Sequence, residues 1–302
     1  MKKTICLTCL WSCMAALSSC GSDNSSPAPE PEPDKPAKMQ IKINASTSAS
    51  RVSDNSFDNG DHVGLFVVNY AANNQGSLSL AGNHADNVAF RFNGAWTSDA
   101  PIYWKDETTH ADFYLYYPYS PSLNSVSAIP FEVKADQSSE QDYKASELLA
   151  GKALDIAPTQ NAVNITARHL MSRIEIILEA GDGFKADDLT ADKVAVKVND
   201  VMTAATLDLA ACATTAVGEK RSVVPRFDNR IYRALLPPQT VAETNLITVT
   251  TGGRDFNLRR AFTFSGGTVH KFTIRLSKTS NGVNVNISPW ENDGTDNGGV
   301  AE

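Results

Sequence analysis

The feature that most constrains this chain is a succession of short apolar runs separated by turn-forming residues, with no long helical pattern among them. Met39–Ala45 alternates apolar and polar side chains, the pattern of a strand with one buried face. Val63–Tyr70 is more continuously apolar and predicts a strand covered on both faces. Val88–Phe92, Asp112–Tyr117 and Ile129–Val133 continue the series, with Asn, Gly, Pro and Ser between them. Gln141–Ala150 is the best helical stretch of the first half. The second half repeats the strand pattern at Arg173–Leu178, Lys193–Val198, Ile231–Leu236, Leu246–Thr251, Ala261–Phe264, Lys271–Leu276 and Val283–Ile287. Strands without amphipathic helices to cross between them exclude a parallel α/β sheet. An all-β chain of sandwiches is expected. The 302 residues supply two domains of ordinary size, and 42% hydrophobic content is enough to fill their cores. Gly151–Pro158 carries no strong strand pattern and lies near the middle, so the boundary is expected at about residue 160.

The N-terminus is an address. Lys2 and Lys3 precede an apolar run from Ile5 to Leu17. That run is too short to cross a ~30 Å hydrocarbon core as a helix, and reads as a secretory signal. It ends on Leu17-Ser18-Ser19-Cys20, which is similar to the lipobox of bacterial lipoproteins. The resemblance implies a signal peptide over 1–19 and a palmitate-type acyl anchor on Cys20. The implied location is the outer membrane, lipid-anchored, at the cell surface. Asp23, close behind Cys20, resembles the export tags of surface lipoproteins. Each buried methylene contributes about 0.8 kcal/mol, so several acyl chains hold essentially permanently. Residues 21–37 contain five prolines and no large apolar side chain. At ~3.1 Å per residue such a tether reaches about 50 Å from the membrane.

Four segments, in order, carry a family likeness. The first runs from Arg51 through Phe57, Gly60, Asp61, Val63 and Gly64. The second joins Pro101, Tyr103 and Trp104 to the aromatic run Phe113–Tyr117 and Pro118. The third is Arg168-His169-Leu170-Met171-Ser172-Arg173-Ile174. The last is Gly267, Val269 and Phe272 with Ile287 and Trp290. Together they resemble the fimbrillin-like proteins of Bacteroidales. The resemblance implies two tandem transthyretin-like β-sandwich domains, 38–160 and 161–302, behind the signal and the Pro-rich tether of 20–37. It also implies a pilus (fimbrium) component or adhesin whose partners are other fimbrillin-like subunits. In polymerising fimbrillins a trypsin-like protease cuts after a basic residue in the loop behind the first strand. That strand then leaves a groove that accepts a strand from another subunit. Here the corresponding residue is Arg51, behind Met39–Ala45, and no other Lys or Arg lies between Lys42 and Arg91. A donor strand would have to come from Val283–Ile287, because the tail Glu291–Glu302 is acidic, Gly-rich and reads as frayed. This favours an accessory, anchor or tip subunit over a repeating stalk unit.

Other functions find little support. A net charge of −7 without a basic cluster excludes a nucleic-acid role. Cys6, Cys9, Cys13 and Cys20 all precede the folded part, and Cys212, among alanines, reads as a small buried hydrophobe with no disulfide partner. The histidines His62, His84, His110, His169 and His270 are dispersed, without the convergent spacing of a zinc site. Asp54, Asp58 and Asp61 surround a turn but miss the order of a calcium loop. No GxSxG or comparable nucleophile motif is present. No catalytic residue, metal or cofactor is expected. Alternation puts Phe113, Leu115 and Tyr117 on one strand face and Tyr114 and Tyr116 on the other. Core packing is the expectation for both. An exposed aromatic face would instead suit sugar rings and a tethered glycan-binding lipoprotein of a nutrient-uptake system. A host protein or glycan is the kind of ligand an adhesin would take.

Overall fold

The computed structural model describes residues 38–48, 56–71 and 74–278, and the backbone of 299–301. Cys20, the tether, Arg51 and Val283–Ile287 lie outside the described residues. Strands are numbered in chain order. The first sheet is built from β1 (Ile43–Thr47), β2 (His62–Asn69), β3 (Ala85–Phe92), β4 (Trp96–Thr97), β5 (Ala111–Tyr117), β7 (Leu149–Ile156) and β8 (Val163–His169). Its seven strands run in the order β1-β8-β7-β5-β2-β3-β4, antiparallel except for the parallel pair β1–β8. The sheet curls until its edges meet: Trp96 Nε1–H on β4 donates to the carbonyl of Ala45 on β1 at 3.1 Å. Inside the curl lie Ile43, Val63, Leu65, Phe113, Leu115 and Ile165, all buried.

The second half is a sandwich of two sheets. One has the order β11 (Ala213–Val223), β10 (Val194–Asp208), β14 (Gln239–Thr251), β15 (Arg254–Phe264). β6 (Ile129–Glu132) pairs with the far end of β10, so a strand from the first half extends a sheet of the second. The facing sheet runs β12 (Arg226–Asp228), β13 (Ile231–Leu236), β9 (Ser172–Ala180), β16 (Val269–Leu276), β17 (Gly299–Ala301). Ile174, Ile176, Val196, Val198, Ile247, Val249, Phe272 and Ile274 fill the space between. Alternation along β10 and β9 puts their branched side chains on this inner face, the fit that favours β-branched residues in strands.

A third apolar cluster fastens the halves together. The outer face of the first sheet, through Phe66, Val68, Tyr114 and Tyr116, packs on Ile129, Leu148, Met171, Leu207, Leu209 and Leu235. From Lys38 onward the chain is one compact unit.

Three expectations change here. Gly151–Pro158, expected as a strandless boundary, contains most of β7. Its signal is weak because Gly151 lies so close to β8 that a Cβ would meet the carbonyl oxygen of Thr166 at 2.4 Å. The first sheet therefore runs past residue 160 through β8, and the chain changes sheets at Leu170 and Met171. The helix is shorter than Gln141–Ala150. It spans Glu140–Ala145 (α1), with Ser139 accepting the Asp142 N–H as N-cap. Ser146 ends it by donating back to the Asp142 carbonyl at 2.8 Å. The tail, read as frayed, contains β17, which pairs parallel to β16.

Cys212 sits in the turn between β10 and β11, buried, with positive φ (51°) and its thiol on the Leu209 carbonyl at 3.4 Å. Its sequence neighbours suggest no basic group nearby, yet two reach the turn from the first sheet. Lys152 Nζ donates to Ala210 O at 2.8 Å, and Arg168 Nη2 donates to Cys212 O at 2.7 Å. Burial pushes the thiol up, and the two cations offset this only in part. A thiol reagent at pH 8 is therefore expected to leave Cys212 unlabelled in the native protein and to label it on unfolding. Rapid native labelling would contradict its structural role.

Candidate functional site: the first strand and its groove

The first strand is held by two kinds of complementarity. Ile41, Ile43 and Ala45 point inward and are buried, while Lys42, Asn44 and Ser46 point out. Backbone groups are matched on both sides. Against β8, Val163 N–H donates to Lys42 O at 2.8 Å and Ser48 N–H to Ala167 O at 2.7 Å. On the opposite side, Ile41 N–H donates to Ile102 O at 2.8 Å and Trp104 N–H to Met39 O at 2.9 Å. The Trp96 indole closes on Ala45, and Asn44 Nδ2 donates to Asn164 Oδ1 at 2.8 Å. Residues 39–48 thus lie in a groove walled by β8, by Ile102–Trp104 and by Trp96. Without them, Val163 N–H, Trp104 N–H, Ile102 O and Ala167 O would lose their partners, and the core would open where Ile41 and Ile43 sit. Those are the requirements of an acceptor site for an extended chain.

The strand is followed by residues 49–55, which hold Arg51 and lie outside the described residues. The chain then re-enters the core through Phe57, whose ring meets Trp96 at 4.9 Å and Tyr117 at 5.9 Å, both edge-on. Gly60 takes φ +100°, which favours glycine. Asp61 closes the turn, accepting the Asp58 N–H at 2.8 Å and the Tyr117 O–H at 3.2 Å. The first family motif is therefore a re-entry device that fixes the far end of the Arg51 segment. Gly64, in the same motif, lies under Tyr116: a Cβ there would be 2.2 Å from the ring.

The other motif residues among those described fall into structural roles, while Ile287 and Trp290 lie outside the described residues. Tyr114 and Tyr116 are buried in the cluster between the halves, so this face offers no aromatic platform to solvent. Burial raises the pKa of the Tyr116 phenol to about 12, while its hydroxyl donates to Asn87 Oδ1 at 2.8 Å and accepts the Ser120 N–H at 3.1 Å. His169 Nδ1 lies 3.1 Å from Glu147 Oε2. Arg173 Nη2 donates to Glu175 Oε1 at 2.6 Å. Gly267 has φ +67° and donates its N–H to Met171 O at 2.9 Å. Asp58 pairs with Lys144 at 2.8 Å, and Asp54 lies outside the described residues. Sequence reasoning missed Trp96, which carries no motif, and it marked the wall at Ile102–Trp104 only through the family pattern.

A β-sandwich protein whose N-terminal strand completes its own core defines the class. A profile of the fimbrillin-like family matches residues 50–290, and the chain belongs to that family. It is 24% identical over 255 residues to a proposed fimbrium subunit, Fim1C, of Bacteroides uniformis, covering 80% of this chain and 81% of that one. A proposed fimbrium tip subunit of Bacteroides ovatus is 24% identical over 200 residues, 61% of this chain and 35% of that longer protein. Among solved structures, a proposed cell adhesion protein of Bacteroides uniformis superposes with a TM-score of 0.64 at 20% identity. That match covers 81% of this chain and 95% of the other. This likeness shows the shared fold.

Proposed function

We propose that this chain is a cell-surface fimbrium component or adhesin with no enzymatic role. The processing step resembles that of polymerising fimbrillins: cleavage after Arg51 frees the first strand, and its groove takes a strand from another subunit. The observation that carries the reading is the double match of residues 39–48, through Ile41 and Ile43 on the face and through backbone bonds on both edges. A groove of that kind gives affinity through main-chain bonds and register through alternating pockets. In this reading the chain comprises a signal peptide (1–19), an acylated Cys20 with its tether (20–37), and two tandem transthyretin-like β-sandwich domains. The burial of Tyr114 and Tyr116 leaves the glycan-binding alternative without the surface it required.

Cys20 supplies the anchor in this reading. In a cell fractionation, Cys20→Ala is expected to leave the folded part intact and move the protein from the outer membrane to a soluble fraction. A variant that still fractionates with the membrane would refute the anchor.

A further inference from the structure

The groove around the first strand is not uniform along its length. Ile41 and Ile43 fill its first two inward positions, whereas the third holds Ala45, which is 7% exposed. A larger side chain there has no solvent to expand into. Rings close the core at this end: the Trp96 indole reaches Ala45 O, Phe57 meets Trp96 edge-on at 4.9 Å, and Phe92 lies 5.1 Å from it. The backbone gives way only by losing its bonds, Ala45 O to the indole and Ser48 N–H to Ala167 O. On the outward face, Asn44 lies directly opposite Asn164 in the parallel pair of β1 and β8, and Asn44 Nδ2 donates to Asn164 Oδ1 at 2.8 Å. Matched amides of this kind form where like residues stand in register. These two features decide register. A slip of one residue turns every inward side chain out. A slip of two keeps the apolar face inward, and alternation alone does not reject it. In one direction it puts Lys42 opposite Asn164 and Ile43 in the Ala45 position. In the other it puts Ser46 opposite Asn164 and leaves Ala45 where Ile43 belongs. Overpacking penalises the first and a cavity the second.

We propose that the groove reads the sequence of the strand it accepts, through a small slot at the Ala45 position bounded by Trp96 and through the amide of Asn164, and that its partner is a different fimbrium subunit whose strand runs apolar, polar, apolar, Asn, small. Large apolar side chains fill the Ile41 and Ile43 positions, an Asn meets Asn164, and Ala, Gly or Ser enters the slot. The chain's own Val283-Asn284-Val285-Asn286-Ile287 carries the alternation and brings Asn286 to the Asn44 position, but it brings Ile287 to the slot. A second copy of this chain is therefore the poorer partner. The inference rests on the strand-exchange reading for its occupant, whereas the slot is a property of the intact chain.

The first test is a double-mutant cycle on the mature full-length protein, read by urea unfolding. Ala45→Ile should lower the folded-to-unfolded ratio about tenfold or more, the scale of extra carbons forced into a packed core. With Trp96→Ala in place, the same substitution should cost less than about threefold, because the ring that bounds the slot is gone. A wild-type loss within about twofold, or an equal loss in both backgrounds, would overturn the slot. The second test offers synthetic peptides to the trypsin-cleaved protein after its first strand has separated, with the peptide of residues 39–48 as reference. Its Ala45→Ile form and the peptide of residues 281–290 should both bind at least about tenfold more weakly. Ile287→Ala should recover that loss in the second peptide. The Asn44→Leu form of the reference should bind about threefold to tenfold more weakly, the scale of one lost hydrogen bond. Equal or tighter binding of the 281–290 peptide would make a second copy the partner, and equal binding of the Asn44→Leu form would remove Asn164 as a reader; either contradicts the proposal. Failure of trypsin to free the first strand, or no uptake of the reference peptide, would sink the strand-exchange reading, and the cycle on the intact chain would still decide the slot.

Discussion

Glu175→Ala is expected to destabilise the folded protein by about 3–5 kcal/mol, the cost of leaving buried charges unpaired. Glu175 is 3% exposed and lies between two guanidinium groups. Its Oε1 accepts from Arg173 Nη2 at 2.6 Å and from Arg233 Nε at 3.3 Å, and Arg233 continues to Asp228 Oδ2 at 2.9 Å. Removing the carboxylate takes from Arg173 on β9 and Arg233 on β13 the buried acceptor they share, Arg233 lying opposite Glu175 in the strand pair. Burial alone would raise the carboxyl pKa. The hydrogen bonds and charges of Arg173 and Arg233 outweigh it and hold the group below its ordinary value. A depressed pKa in the folded state stabilises above the unfolded value and loses that contribution as pH falls through the folded one. The gap between wild type and Glu175→Ala should therefore be full at pH 7 and shrink below the ordinary glutamate value of 4.5. Urea unfolding at several pH values measures it. A variant within about 1 kcal/mol of wild type at pH 7, where surface ion pairs fall, would show that the triad contributes little.

The second large effect is expected at the first strand. Ile41 is 1% exposed and Ile43 5%, two residues apart on the same face. Truncating a buried Ile to Ala removes its transfer free energy and leaves a cavity, typically about 2–5 kcal/mol. Ile41→Ala with Ile43→Ala should therefore cost about 4–8 kcal/mol, with some coupling because the sites are neighbours. The double variant should also release the strand faster after cleavage, because the pockets that retain it are then half empty. Urea unfolding of the intact chain, and the rate at which the N-terminal peptide separates after digestion, read the two consequences. A loss under about 1 kcal/mol would mean that the groove holds its strand through backbone bonds alone.

The parts of the fold that repeat a local pattern were legible in the sequence. Val63–Tyr70 read as a strand covered on both faces, and β2 does place Val63, Leu65 and Val67 in one core and Phe66 and Val68 in another. Met39–Ala45 alternates, and its inward residues fill the first core. Features set by contacts distant in sequence were not legible. β7 hides behind Gly151, a residue dictated by the closeness of β8 rather than by strand propensity. The charge triad joins Glu175 to Arg233, 58 residues apart, and no spacing rule connects them. The alanines around Cys212 concealed Lys152 and Arg168, which approach from another sheet. For the site itself, the sequence marked the strand and, through the family likeness, Arg51. It carried no sign that the indole of Trp96 completes the groove on Ala45.

Limited trypsin digestion of the mature protein, with N-terminal sequencing of the first large product and chromatography under native conditions, tests the central claim most directly. The account predicts a product that begins at Val52, from which the peptide carrying the first strand then separates. The emptied groove should take up a synthetic peptide of residues 39–48 or join a second subunit. A first cut elsewhere, or a cut at Arg51 after which the strand never leaves its groove, would contradict it.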